Sequence, residues 1–216
     1  MSVRTIAIPV KSLFRAKSRL GSMLSPLERA ALTLAMMEDV LDATLSVPGW
    51  ETWVVSPDEA VLEVAARRGA TPMLEAKPPL SSALRQAESE AEDRGIGALA
   101  VVLADLPLLT TQDLVPALRT LGPVVAAPSR ADGGTNFLLR RPPRAIPSRF
   151  GRDSFRKHGE AARIRHLPVA TVESPGLMFD LDVPDDITTV IQSDRDGRTR
   201  TACLELDVAA RLQART

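Results

Sequence analysis

A single cysteine, Cys203, stands among the 216 residues, so no disulfide can form within the chain and a reducing compartment is expected. Aromatic residues make up only 3% and tyrosine is missing, which argues against a base-stacking platform for nucleic acid. Charge of one sign is lacking too: 27 Lys and Arg balance 27 Asp and Glu, so there is no basic footprint for DNA or RNA. No apolar run approaches the roughly 20 residues of a membrane helix, and the N-terminus enters a strand pattern without a leader-like core. A cytoplasmic globular protein with neither membrane nor nucleic-acid partner is therefore expected. Several catalytic signatures are also missing. Gly21 is the first glycine, which excludes a dinucleotide fingerprint after the first strand, and neither a G-x-x-x-x-G-K-[ST] loop nor a G-x-S-x-G elbow occurs. Two histidines and one distant cysteine do not make a zinc site; His158 and His166 lie among Arg and Lys and are expected at the surface.

The apolar share of 44% is enough for a substantial core, and no linker divides the chain, so residues 1–216 are read as one domain. Residues 5–10 read as a buried strand, followed by a polar basic loop over 11–22. Ser25-Pro26-Leu27-Glu28 is a capping box with proline at the first helical position, and apolar residues then recur at helical spacing. Strand 53–55, a helix capped in the same way by Ser56-Pro57-Asp58-Glu59 and stopped at Gly69, strand 73–74 and helix 82–94 follow. The continuous apolar run 98–103 has the character of a central parallel strand. Helix 111–120, strand 124–127, helix 154–164, strands 169–172 and 177–181, and a helix from Pro184 complete the pattern. Alternation of this kind predicts an α/β fold with a doubly wound sheet, whose ligands bind beyond the carboxyl ends of strands.

Chemistry-bearing residues gather at such ends. Asp105, in Ala104-Asp105-Leu106-Pro107, and the pair Asp180 and Asp182, in Phe179-Asp180-Leu181-Asp182, close apolar segments. In an extended strand, alternate side chains share a face about 7 Å apart, so Asp180 and Asp182 are expected to point together. Three carboxylates there suit Mg2+ and a substrate phosphate. Each also has a plainer reading, Asp105 as a turn residue and Asp182 as a helix cap. Lys11, Arg15, Lys17 and Arg19 place four cations in nine residues after the first strand, able to neutralise a triphosphate or to serve as an ordinary solvated loop. Asp132-Gly133-Gly134-Thr135-Asn136 reads as a tight turn or as backbone and hydroxyl for an anionic substrate. Gly151-Arg152-Asp153-Ser154-Phe155 opens a helix whose free amides suit a phosphate, with Ser154 as a plain cap the alternative.

Taken together, Ile8-Pro9-Val10-Lys11, Ala16-Lys17-Ser18-Arg19-Leu20, Ala104-Asp105-Leu106-Pro107-Leu108, Gly133-Gly134-Thr135-Asn136, Gly151 with Ser154-Phe155 and His158, and Pro175-Gly176 with Phe179-Asp180-Leu181-Asp182 resemble the phospholactate/phosphoenolpyruvate guanylyltransferases of coenzyme F-420 biosynthesis. The resemblance spans residues 6–186. It implies a single-domain, three-layer, Rossmann-like nucleotidyltransferase fold with a mostly parallel, mixed sheet. It also implies GTP as co-substrate, Mg2+, and a phosphorylated three-carbon acid as acceptor. By motif, Asp105, Asp180 and Asp182 would hold metal, Thr135, Gly151 and Ser154 would bind the acid, and Lys11, Lys17 and Arg19 would face the GTP phosphates. The product would pass to the deazaflavin transferase of the same pathway, and a homodimer is an open expectation. Where the family has Gly-Leu-Asn, in a segment placed near the base, this chain reads Pro79-Leu80-Ser81. The residues alone also leave open a sugar or molybdenum-cofactor nucleotidyltransferase, and a catalytically silent nucleotide-binding subunit.

Overall fold

A computed structural model of the chain describes residues 3–75 and 80–213; of Pro79-Leu80-Ser81, Pro79 lies outside the described residues. Seven strands form one sheet in the order β3-β2-β1-β4-β6-β5-β7. They are β1 (Arg4–Pro9), β2 (Glu51–Ser56), β3 (Thr71–Leu74), β4 (Ala98–Val102), β5 (Val124–Pro128), β6 (Thr135–Arg140) and β7 (Val169–Thr171). Every pairing is parallel except those of β6, which runs against both β4 and β5. The reversal follows from the Asp132–Asn136 turn: Gly133 adopts φ +68°, the Asp132 side chain accepts from Gly134 N at 2.7 Å, and the chain folds back as a hairpin.

The central strand β4 is buried at all five positions, as its continuous apolar sequence requires of a strand covered on both faces. Helices α1 (Pro26–Leu45), α2 (Glu59–Arg67) and α4 (Thr111–Arg119) cover one face, where Ile6, Ile8, Val54, Ala100 and Phe137 meet Met37, Leu41, Val61 and Leu114. Helices α3 (Leu80–Asp93) and α5 (Ser154–Ile164) cover the other through Ala83, Ala87 and Ala91, and through Ala161 and Ala162. The result is three layers around a mixed sheet.

Ser25 and Glu28 form the expected capping box on α1. At α2 the box is absent: Asp58 alone caps it, because Glu59 is the first helical residue and not the third. The second Asp58 oxygen accepts from Leu13 N at 3.1 Å and so ties the basic loop after β1 to this helix. The expected strand 177–181 is not one. Pro175 opens a helical turn, α6 (Pro175–Met178), and the chain then runs extended without a ladder, held by Leu181 N donating to Asp105 O at 3.1 Å. Proline at the first helical position pre-sets the turn and outweighs the apolar pattern.

Helices α7 (Pro184–Gln192), α8 (Arg198–Glu205) and α9 (Val208–Gln213) lie over the outer side of α1, where Leu32 and Met36 meet Ile187, Val190, Cys203 and Val208. Asp39 of α1 caps α8 from outside it, accepting from Arg198 N, Thr199 N and Thr199 Oγ1 at 2.6–2.9 Å. Burial pushes the Cys203 thiol up to about 12, with Asp39 adding to the shift, so it is inert as a nucleophile. Among the described residues no helix is long and apolar enough to cross a membrane.

Candidate functional site

The carboxyl ends of β1 and β4 open onto a cleft of about 310 Å3 walled by the 11–19 loop, Leu103, Ala104, Asp105 and Asp182. Lys11, Arg15, Lys17 and Arg19 all line it. The loop is shaped by two short turns, Leu13–Arg15 and Ser18–Leu20, in which Leu13 and Leu20 are buried while Phe14 is exposed. Between the turns Lys17 takes a left-handed conformation, φ 51°, which turns its side chain inward.

Lys17 is the centre of the cleft. Its ammonium donates to Asp105 Oδ2 at 2.7 Å and to Asp182 Oδ1 at 2.8 Å, and its side chain is only 7% exposed. Burial works against this charge, yet Asp105 and Asp182 outweigh it and raise the Lys17 pKa. Burial likewise opposes the Asp182 carboxylate, but Lys17, Arg19 and Lys11 hold its pKa below the usual range. Arg19 reaches Asp182 Oδ2 at 3.5 Å from a mostly exposed position.

Asp180 takes other partners. Its Oδ1 accepts from Ser129 Oγ at 2.7 Å and from Asn136 Nδ2 at 3.1 Å. Burial raises its pKa, and the charges of Asp105 and Asp182 add to that, against the two hydrogen bonds. Phe179 and Leu181 both pack into the cluster around Leu32 and Met36, so Asp180 and Asp182 alternate with them along the extended segment and share its other side while taking different partners. Asp182 is not a helix cap; its backbone N–H, and that of Val183, donate to Asp186 Oδ2 at 2.7 and 2.8 Å.

Each aspartate keeps one oxygen outside these contacts. Asp105 Oδ1 is buried with no hydrogen-bond partner among the described residues, both bonds to Asp180 fall on Oδ1, and Asp182 Oδ2 has only the 3.5 Å contact with Arg19. Hard oxygens of this kind fit Mg2+, which takes one or two carboxylates and completes its octahedron with water and substrate phosphate. Among the described residues, no three His, Cys, Asp or Glu side chains converge so as to hold a metal ion by themselves.

The remaining site residues are not part of the cleft lining and lie around the starts of β6 and α5. Thr135 starts β6, and Ser154 is the first residue of α5, with Asp153 and not Ser154 in the cap position. Ser154 Oγ donates to Thr135 Oγ1 at 3.1 Å, and Phe155 N donates to Gly133 O at 3.1 Å, joining the two glycine-bearing loops. Gly151, at φ +113°, is exposed in the turn ahead of α5. His158 corrects the surface expectation. It is fully buried, 3.0 Å from Thr135 Oγ1 through Nδ1, and accepts from Arg149 N at 2.9 Å through Nε2. Ser129 and Asp186 had no signal as site residues of their own, whereas Asn136 lay within the Gly133-Gly134-Thr135-Asn136 motif. His158 had a signal as well, since it lies four residues after Ser154 and hence on the same helical face.

Burial pushes His158 down from 6.5 to about 4, assisted by the charges of Arg140, Arg149 and Lys157. A depressed pKa means the folded state binds fewer protons than the unfolded chain. The associated stability is complete above 6.5 and is lost as pH falls towards 4, a change of about 3 kcal/mol. In urea unfolding, the stability of the wild type relative to His158→Gln should shrink by about that amount between pH 7 and 4. A pH-independent difference would contradict a neutral buried ring.

The family described as guanylyl transferase CofC like matches residues 4–213. A phosphoenolpyruvate guanylyltransferase of Sphaerobacter thermophilus is 44% identical over 188 residues, covering 85% of this chain and 90% of that protein. A 3-phospho-D-glycerate guanylyltransferase of Phenylobacterium zucineum is 36% identical over 214 residues, covering 95% and 98%. In fold, the chain is similar to a crystal structure described as a nucleotide-diphospho-sugar transferase of Desulfovibrio desulfuricans, with a TM-score of 0.80, 20% identity, and coverage of 99% and 98%. Match and identity extend over nearly the whole chain, and the cleft joins a basic loop to strand-end carboxylates; the chain belongs to the CofC-like guanylyl transferase family.

Proposed function

We propose that this chain transfers GMP from GTP to phosphoenolpyruvate in coenzyme F-420 biosynthesis, releasing pyrophosphate. The observation that carries the reading is the single cleft in which four loop cations face Asp105 and Asp182. A phosphate oxygen of the acid attacks the α-phosphorus of GTP in line; the new P–O bond forms as the bond to the β-phosphate oxygen breaks, and pyrophosphate leaves. The attacking oxygen is already anionic near neutral pH, so no strong base is required. The work left to the protein is positioning and neutralisation of charge.

Lys11, Arg15 and Arg19, exposed along the loop, meet the triphosphate, and Lys17 joins them when the phosphates compete with Asp105 and Asp182 for its ammonium. Thr135, Gly151 and Ser154 hold the acid. Asp105, Asp180 and Asp182 are the residues that would hold Mg2+, which when bound supplies positive charge against the attacking and leaving oxygens. Asp186 keeps the Asp182 backbone in place, and Ser129 and Asn136 orient Asp180. The guanylylated acid passes to the deazaflavin transferase of the pathway.

The Phenylobacterium relative supports 3-phospho-D-glycerate as a second acceptor. Pyrophosphate release should therefore be measured with Mg2+, crossing GTP, ATP and CTP against phosphoenolpyruvate, 2-phospho-L-lactate, 3-phospho-D-glycerate, glucose 1-phosphate and water. The deazaflavin acceptor and its transferase are included to trap labile products. GTP-dependent release with phosphoenolpyruvate is the expected result. Release with glucose 1-phosphate alone would move the chain to sugar nucleotides, and GTP binding without turnover would mark a silent subunit.

A further inference from the structure

The contacts of His158 fix a direction for every proton around Thr135. A backbone amide can only donate, so the Arg149 N–H at 2.9 Å makes Nε2 the acceptor. In a neutral ring the proton then sits on Nδ1 and is donated to Thr135 Oγ1 at 3.0 Å. Ser154 Oγ donates to the same oxygen at 3.1 Å. With Ser154 as the donor, both lone pairs of that hydroxyl are filled and its own proton is directed out of the network. Thr135 can do one thing for a ligand, namely donate. The next residue along β6, Asn136, holds Asp180.

We propose that His158 is a positioning residue for the acceptor acid: its Nδ1–H fixes Thr135 as a pure hydrogen-bond donor to an anionic oxygen of that acid. The proposal rests on the reading of Thr135 as an acid contact. Complete burial and a T-shaped contact with Phe150, the two ring centroids 5.2 Å apart, hold the imidazole in one orientation. Burial, with the positive charges around it, disfavours protonation and keeps the ring neutral, and the Arg149 N–H then holds its one proton on Nδ1. With the opposite tautomer, the Thr135 proton would be drawn to the ring, and an anion would meet lone pairs instead.

The test is a double-mutant cycle read in KM and kcat for pyrophosphate release, with GTP and phosphoenolpyruvate varied separately. His158→Leu should raise KM for the acid about tenfold, with kcat and KM for GTP within about twofold. His158→Asn, which keeps a donor near Nδ1, should stay within about threefold of wild type. In a Thr135→Val background, His158→Leu should add less than about twofold, because the hydroxyl it orients is gone. An equal penalty in that background, or equal changes in both KM values, overturns the proposal. Should His158→Leu fail to fold, 1H–15N spectra of 15N-histidine-labelled wild type report the tautomer directly, with only two histidines to assign. A proton on Nε2 overturns the proposal. Thr135→Val with unchanged acid KM overturns it too but leaves guanylyl transfer standing, whereas wild type inactive with every acid strikes that transfer itself.

Discussion

Asp182→Asn should lower kcat about a thousandfold while moving Tm by no more than a few degrees. Asparagine keeps the size of aspartate and can still accept from Lys17, so the substitution removes charge and little else. What is lost is one hard anionic oxygen facing the cleft, together with half the counter-charge that holds Lys17 in place. A thousandfold corresponds to about 4 kcal/mol of transition-state stabilisation, a size typical of removing one electrostatic element from a preorganised site. The fold is spared because the Asp182 side chain is one-third exposed and its backbone is held independently by Asp186. Near-normal turnover at saturating Mg2+ would defeat the assignment of Asp182 to the metal, and a large fall in Tm would point to a structural role. Circular dichroism melts and pyrophosphate release on one preparation read both quantities.

Lys17→Met has the second large effect, and its two halves have opposite signs. Turnover should fall about a hundredfold or more, because the cation nearest both carboxylates and the expected triphosphate is gone. Bare Mn2+, used as a probe in nucleotide-free protein, should instead bind about tenfold more tightly. The ammonium now holds Asp105 Oδ2 and Asp182 Oδ1, and a divalent ion must compete for those carboxylates. Electron paramagnetic resonance of free Mn2+ gives this affinity without any turnover, and unchanged binding would show that Lys17 does not compete with metal. Stability should drop by about 1–3 kcal/mol, since two neighbouring carboxylates lose their shared partner. The pH dependence follows from the direction of each shift. The raised Lys17 pKa contributes stability that is complete below 10.5 and lost only as pH climbs past the folded value. The lowered Asp182 pKa contributes stability present above 3.8 and lost as pH falls through the lower folded value. The Tm difference between wild type and variant should therefore be flat from about pH 5.5 to 9 and narrow below about pH 4.

These two predictions turn on a residue that the sequence placed in the right loop but with only part of its surroundings. Lys17 was legible as one of four cations after the first strand. Its place between Asp105 and Asp182, 88 and 165 residues away along the chain, was not. The left-handed backbone at Lys17 has no local signature, because lysine is not a residue that favours it. His158 shows the same limit from the other side. Its charged neighbours in sequence, Arg156 and Lys157, suggested a surface, but helical spacing gives it a different face from theirs, and that face meets Thr135.

The sequence by itself determined the alternation of strand and helix, the central position of β4, the caps of α1, and which chemical groups stand at strand ends. These are encoded locally, in periodicities of 2 and 3.6 and in the fixed φ of proline. Tertiary structure alone decided that the 179–182 segment is extended without pairing, and which partners its aspartates meet: Ser129 and Asn136 for Asp180, Lys17 for Asp182. It also decided that α8 is capped by Asp39 of α1, and that Thr135 takes its polarity from a buried imidazole. Each of these depends on partners brought together by the packing of distant segments. A side chain's donor or acceptor role there is set by what the fold places opposite it, which no local pattern records.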